Sequence, residues 1–171
     1  MKNEATPSAL RSVDEIDWER WEPGIRATLL FIITDGRILL IRKLTGLGKG
    51  NINGPGGKLE PGESAREAAI REVEEEVGVT AHDPQEMGVL HFQFTDGLKL
   101  HCVVFRSPGF EGELIETREA IPLWFPLDAI PYEEMWADDA LWLPGMIEGH
   151  NFTGYFVFEE RAMLSQRVEW E

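Results

Sequence analysis

Glu72, Glu74, Glu75 and Glu76 fill four of five consecutive positions in "REVEEEVG", residues 71–78. Like charges three and four residues apart on an exposed helix repel by roughly 0.2–0.5 kcal/mol per pair, and the chain already carries a formal charge of −15. At helical spacing, Glu72, Glu75 and Glu76 share one face within an arc of about 100°. Glu74 points elsewhere, near Glu67, and reads as solvated. Three carboxylates converging beside a core edge offer the hard oxygens that Mg²⁺ and Mn²⁺ take, with waters and substrate phosphates completing the coordination. The same residues also describe a plain solvated acidic face, so the helix alone leaves both readings open. Arg71, four residues before Glu75, is spaced to orient or partly neutralise that carboxylate.

The elements that must position these groups are punctuated clearly. Pro61-Gly62 makes a turn, Ser64 with Glu67 forms a capping box, and Gly78 ends the helix. Ala69, Ile70, Val73 and Val77 form its expected core face. Two hairpins are expected, "ATLLFIIT-DG-RILLIRK" turning at Asp35-Gly36 and "VLHFQFT-DG-LKLHCVVFR" turning at Asp96-Gly97. Residues 44–57, with six glycines, read as a loop that matches neither glycine-rich nucleotide motif. "IPLWFPLDAIP" is an apolar segment broken by prolines. "MWADDALWLPGMIEG" reads as a short second helix disturbed at Pro144, and "TGYFVFEE" and "MLSQRVEWE" as closing strands. The expected class is α/β, with two hairpins in a sheet and helices over its faces.

Composition narrows the function. The 171 residues are 43% hydrophobic, which suits one domain at 23–171 behind a polar N-terminal arm at 1–22, with Trp18 and Trp21 able to dock the arm. With 16 basic against 31 acidic residues, binding to a nucleic-acid polymer is disfavoured. The first residues contain no apolar leader segment and the chain no run of 18 apolar residues, so neither secretion nor membrane spanning is expected. The single cysteine, Cys102, suits a reducing cytoplasm and lies in an apolar run that reads as core. The four histidines, His82, His91, His101 and His150, show no metal-ligand spacing.

Read from Gly57, the helix and its approach run G-x5-E-x7-R-E-V-x-E-E-x-G-V, through Gly57, Glu63, Arg71, Glu72, Val73, Glu75, Glu76, Gly78 and Val79. This resembles the signature box of the Nudix (MutT-type) hydrolases at all nine defined positions over 23 residues. The resemblance implies an α/β/α sandwich with a mixed β-sheet between helices, and metal-assisted hydrolysis of a phosphoanhydride. Glu72, Glu75, Glu76 and a backbone carbonyl near Gly56 or Gly57 would hold Mg²⁺, or equally Mn²⁺. Arg71 would orient the glutamates and Glu63 would complete the loop–helix unit.

From about Ala27 to Val168 the chain is also similar to the animal branch of that family, which acts on oxidised purine nucleoside triphosphates. That similarity implies that Asn53 bonds the purine, Asp138 and Asp139 read its edge, and Trp136 stacks on it. Lys43 would be a pocket lysine, Phe92 and Phe94 pocket aromatics, and Glu119 a loop carboxylate approaching the metals. The residue types suit these tasks. Asn presents donor and acceptor side by side, and two adjacent buried carboxylates do not both stay ionised, so one can donate. Leu47 and Ile52 stand where the animal branch has aromatics, and His101 where it has an acid. The expected reaction is hydrolysis of purine nucleoside triphosphates such as 8-oxo-dGTP or dGTP to monophosphate and pyrophosphate, by a monomer or dimer that sanitises the nucleotide pool. Glu72 and Glu119 are both candidates for the water-activating base. Another nucleoside diphosphate derivative or a prenyl diphosphate is the alternative substrate, to which an aliphatic Leu47 and Ile52 are suited, and a metal-dependent nucleotide sensor the non-enzymatic one.

Overall fold

A computed structural model describes residues 10–171. Asp35 and Gly36 both take positive φ, 53° and 72°. That is the two-residue loop whose twist matches its flanking strands, and it joins β1 (Ile25–Thr34) to β2 (Arg37–Lys43) as the sequence predicts. The second hairpin, β6 (Gln85–Phe94) and β7 (Lys99–Ser107), also forms. The hairpins meet through a parallel pairing of β1 with β7, and β10 (Phe152–Glu159) adds in parallel to β6. β11 (Ala162–Trp170) closes that end. The result is a mixed sheet with one helix on each face: α1 (Ala65–Val77) and α2 (Asp139–Ile147).

The loop expected over 44–57 is partly strand. β3 (Ile52–Asn53) pairs with β2 and β4 (Gly56–Lys58) with β1. Both are too short to carry a pattern of their own, and they form because β1 and β2 have backbone groups to satisfy. The proline-broken apolar segment is likewise a strand, β9 (Ala120–Pro126), paired along the whole of β2. A lone pair, β5 (Thr80–Ala81) with β8 (Phe110–Glu111), completes the described strands.

Two cores result. Leu30, Ile32, Leu39 and Ile41 pack against Ala69, Val73 and Val77 of α1, while Phe31, Leu40, Leu90 and Phe156 pack against Trp142, Leu143 and Met146 of α2. Ile70, expected in the first core, is only half-buried, and Ala68 takes the buried place. The ends of α1 form as written in the sequence: Ser64 and Glu67 make the reciprocal capping box, and Gly78 closes the helix in the left-handed conformation. Pro144 lies inside α2, which runs on to Ile147 and is followed by Gly149 in the left-handed conformation. Among the described residues no helix is long and apolar enough to cross a membrane.

Residues 1–9 of the expected arm lie outside the described residues. From Ser12 the chain makes a capped 3-10 turn at Val13–Glu15, with Val13 buried and its N–H donating to Ser165 Oγ. Trp18 and Trp21 then cover His91, and Trp21 Nε1 donates to Gln93 Oε1. Alternation along β6 and β7 puts His91, Gln93 and His101 on the face opposite Leu90, Phe92 and Cys102. His91 stacks on Tyr155 at 4.8 Å and meets His101 edge-on at 5.3 Å. Burial holds His101 down at about 4, and His91 is lowered for the same reason. A histidine depressed in the fold stabilises above its unfolded pKa of about 6.5, and that contribution fades as pH falls toward 4. His101→Gln is therefore expected to lessen the drop in melting temperature between pH 6.5 and 4, read by thermal unfolding. A drop equal to wild type would contradict this packing of neutral rings.

Candidate active site

Arg71, on the half-exposed flank of α1, organises the acidic cluster. Its Nε and Nη2 both donate to Glu63, at 2.6 and 2.9 Å, and Nη2 also reaches the Lys58 carbonyl at 3.0 Å. Nη1 donates to Glu72 and to Glu75, each at 3.1 Å. The guanidinium holds Glu63 down at about 2, and the carboxylates raise Arg71 itself. One planar fork thus ties the turn before the helix to two of its glutamates.

Glu76 has the opposite environment. It is 4% exposed and accepts a hydrogen bond from the Gly56 N–H at 2.8 Å. Burial pushes its carboxyl up to about 8, against the pull of that N–H, and the charge of Glu72 adds to the rise. Oxygens of Glu72, Glu76 and Glu119 all lie within 4.8 Å of one another. Glu72 can approach because Gly57 has no side chain: a Cβ there would stand 2.4 Å from the Glu72 carboxyl carbon. Glu119 reaches the cluster from the loop before β9. Thr117 Oγ1 holds that loop by donating to the Glu76 carbonyl at 2.8 Å and accepting from Glu119 N at 3.2 Å.

Three converging carboxylates, one of them buried, fit a hard divalent cation. Glu75, expected with Glu72 and Glu76, stands apart: it is exposed, and Arg71 is its hydrogen-bond partner. Gly56 presents its N–H to Glu76. Glu74 is exposed, as expected, and accepts from Thr80 Oγ1.

A cleft of about 400 Å³ runs from this cluster across the α2 face of the sheet. Glu76, Gly56 and Gly57 form one end, and Asp138, Asp139 and Trp136 another part of its wall. Lys43, Leu47, Asn53, Phe92 and Phe94 line it too. Lys43 stands close enough to Glu76 to pull its pKa down slightly. Two other grooves of similar size, around Arg66 and around Asn151, include none of the clustered carboxylates.

Asp138 and Asp139 are buried, at 1% and 7% exposure. Asp138 sits at the N-cap position of α2, yet its side chain caps nothing and accepts from Trp142 Nε1 at 2.8 Å. Burial raises both carboxyls. Asp139 is raised well above the usual range, with Asp138's charge adding to it, whereas the Trp142 N–H opposes the rise of Asp138. Burial and their mutual repulsion therefore work against ionising both carboxyls at once. Trp136 packs edge-on against Phe94 and Phe158. Cys102 is buried as expected but also lines the cleft, its thiol raised by burial and by both aspartates. Sequence reasoning did not find Thr117, Trp142 or the apolar floor residues Leu90 and Leu100. Trp142, at four residues from Asp138 on one helix face, had a readable spacing; the others had none.

The family profile described as NUDIX domain matches residues 24–146, and the chain belongs to the Nudix hydrolases. The oxidized purine nucleoside triphosphate hydrolase of Danio rerio is 43% identical over 138 residues, covering 80% of this chain and 88% of that protein. The enzyme of the same name from Mus musculus is 35% identical over the same coverage. Among solved structures, a MutT protein of Bacillus halodurans matches with a TM-score of 0.75 and 27% identity, covering 85% of this chain and 97% of that one.

The raised Glu76 gives a signed prediction. Its protonated form contributes stability that is complete below about pH 4.5 and lost as pH rises through about 8. Without divalent metal, Glu76→Gln is expected to melt several degrees above wild type at pH 8–9 and close to it at pH 4.5. Added Mg²⁺ should stabilise wild type more than the variant. A melting difference that does not vary with pH would refute the assignment.

Proposed function

We propose that the protein hydrolyses purine nucleoside triphosphates, oxidised forms such as 8-oxo-dGTP together with dGTP, to nucleoside monophosphate and pyrophosphate. The observation that carries this reading is that one cleft joins the carboxylate cluster to the buried aspartate pair, with Lys43 on its wall. Support also comes from the likeness to the fish and mouse enzymes, whose names state hydrolysis of oxidized purine nucleoside triphosphates. Residues 23–171 make up the hydrolase domain and residues 1–22 its arm, acting in the cytoplasm.

Glu72, Glu76 and Glu119 would hold Mg²⁺, with Mn²⁺ equally suited, and the backbone at Gly56 and the more distant Glu75 would complete the set. Bound there, the cation neutralises phosphate charge and acidifies water. Glu119 is the better base of the two candidates, because it is exposed and Glu72 already accepts from Arg71. Arg71 keeps the glutamates oriented. At the other part of the cleft, Asp139 donates its proton to the purine edge while Asp138 accepts from it, and Asn53 offers both functions beside them. Trp136 stacks on the ring, Phe92 and Leu47 border it, and Lys43 steadies the phosphate side.

Release of pyrophosphate, followed with coupled pyrophosphatase over normal and oxidised nucleotides and prenyl diphosphates, tests the reading. Turnover of prenyl diphosphates alone would overturn it. Glu76→Gln is expected to lower kcat by at least roughly 10–100-fold, since losing groups merely behind a metal ligand costs that much. Asp138→Asn should leave kcat near wild type and shrink the preference for 8-oxo-dGTP over dGTP by roughly tenfold, the worth of one charge-assisted hydrogen bond. Unchanged selectivity in that variant would remove Asp138 from base recognition.

A further inference from the structure

The glycine-rich segment 44–51 is a flap bonded to itself. Lys43 N donates to the Asn51 carbonyl at 2.9 Å and Gly50 N to the Lys43 carbonyl at 2.8 Å, closing its base. Lys49 N to the Gly46 carbonyl and Asn51 N to the Gly48 carbonyl turn its interior. The flap lies against Trp136, where a Cβ on Gly48 would stand 2.9 Å from the indole nitrogen. It carries Leu47, 51% exposed at the rim of the cleft. Leu47 and Trp136 therefore border the space in which a flat base would sit.

Two arginines fasten this flap from outside. Arg42 donates to the Gly50 carbonyl at 3.0 Å and to Glu134 at 3.1 Å. Arg161 comes from the turn between β10 and β11, beyond the span matched by the family profile. Its Nη1 donates to Asn51 Oδ1 at 2.5 Å and its Nη2 to the Lys49 carbonyl at 3.1 Å. Its guanidinium carbon also stands 5.9 Å from the centroid of the Trp136 ring, within cation–π range. Arg161 is thus in contact with both sides of the slot, the flap through hydrogen bonds and the tryptophan through its face.

We propose that Arg161 is a specificity-determining positioning residue, which fixes the flap relative to Trp136 and so sets the width of the base slot. The role rests on the purine-triphosphatase reading, and it concerns binding of the base rather than the chemistry at the phosphates. The clamp matters here because Leu47 is aliphatic and adaptable. A planar fork holding the flap supplies the rigidity that the side chain at its tip lacks.

The test compares wild type, Arg161→Ala, Arg161→Lys and Asn51→Ala. Arg161→Ala is expected to raise KM for purine triphosphates roughly 3–10-fold, the effect of losing one or two ordinary hydrogen bonds. Its kcat and its Mg²⁺ requirement should stay within about twofold of wild type, and its purine-over-pyrimidine ratio of kcat/KM should fall. Deuterium exchange of amides 44–51 in ligand-free protein should quicken in Arg161→Ala and in Asn51→Ala, and less in Arg161→Lys. Unchanged exchange in both alanine variants overturns the clamp. Faster exchange with an unchanged purine-over-pyrimidine ratio overturns its role in specificity. A wild-type enzyme that turns over no purine triphosphate defeats the underlying activity instead, and the exchange experiment still decides whether the clamp exists. Should Arg161→Ala not fold, Asn51→Ala removes the same bond from the other side.

Discussion

A carboxylate that cannot leave the interior is the constraint around which the site is arranged. Glu76 is buried on the core side of α1 between Val73 and Val77 positions, so the helix cannot rotate it into water without exposing its apolar face. Ionising it there is unfavourable because water is excluded and Glu72 and Glu119 are close. The protein answers with one backbone N–H, from Gly56, and among the described residues no salt bridge reaches Glu76. Ionisation of Glu76 is therefore held off until about pH 8, and a divalent cation is the natural complement of its ionised form.

The other half of the cleft meets the same burial cost in a different setting. Asp138 and Asp139 are as deeply buried as Glu76, but they lie beside apolar side chains and a single indole N–H. Among the described residues no third carboxylate completes a cation site beside them, and burial works against ionising both. The two acidic groups are held apart by the sheet's own architecture. α1 covers one face and α2 the other, and the strands β1 and β2 with their short partners β3 and β4 carry the connection between them. Lys43 at the end of β2, and the Leu44 N–H that donates to the Glu119 carbonyl, link the two parts directly.

Much of this was legible in the chain itself. Local signals were dependable: the Asp-Gly hairpin turns, the capping box of α1 and the left-handed Gly78 all act within a few residues. The carboxylate spacing was informative but incomplete. Period alone puts Glu75 beside Glu72 and Glu76, whereas Arg71 holds it outward, because a guanidinium pairs with what is near it in the fold. Ile70 and Ala68 exchanged places for a similar reason, since a neighbouring element decides how wide the buried stripe is. The strands β3 and β4 were unreadable, as their pairing depends on β1 and β2 rather than on any pattern in residues 52–58. Thr117 and Arg161 could not be found locally either, since the groups to which they donate stand 41 and 110 or more residues away in the chain.

The sheet also has two open margins. β9, with Pro122 and Pro126, flanks β2 on one side, and β11, which carries Ser165, Gln166, Arg167 and Glu169, flanks β10 on the other. Proline has no N–H to offer an incoming strand, and charged side chains resist being stacked against a copy of themselves. Nine strands in one sheet would otherwise be a template for endless lateral growth. The prolines that obscure β9 as a strand in the sequence are thus the residues least able to extend the sheet at that margin.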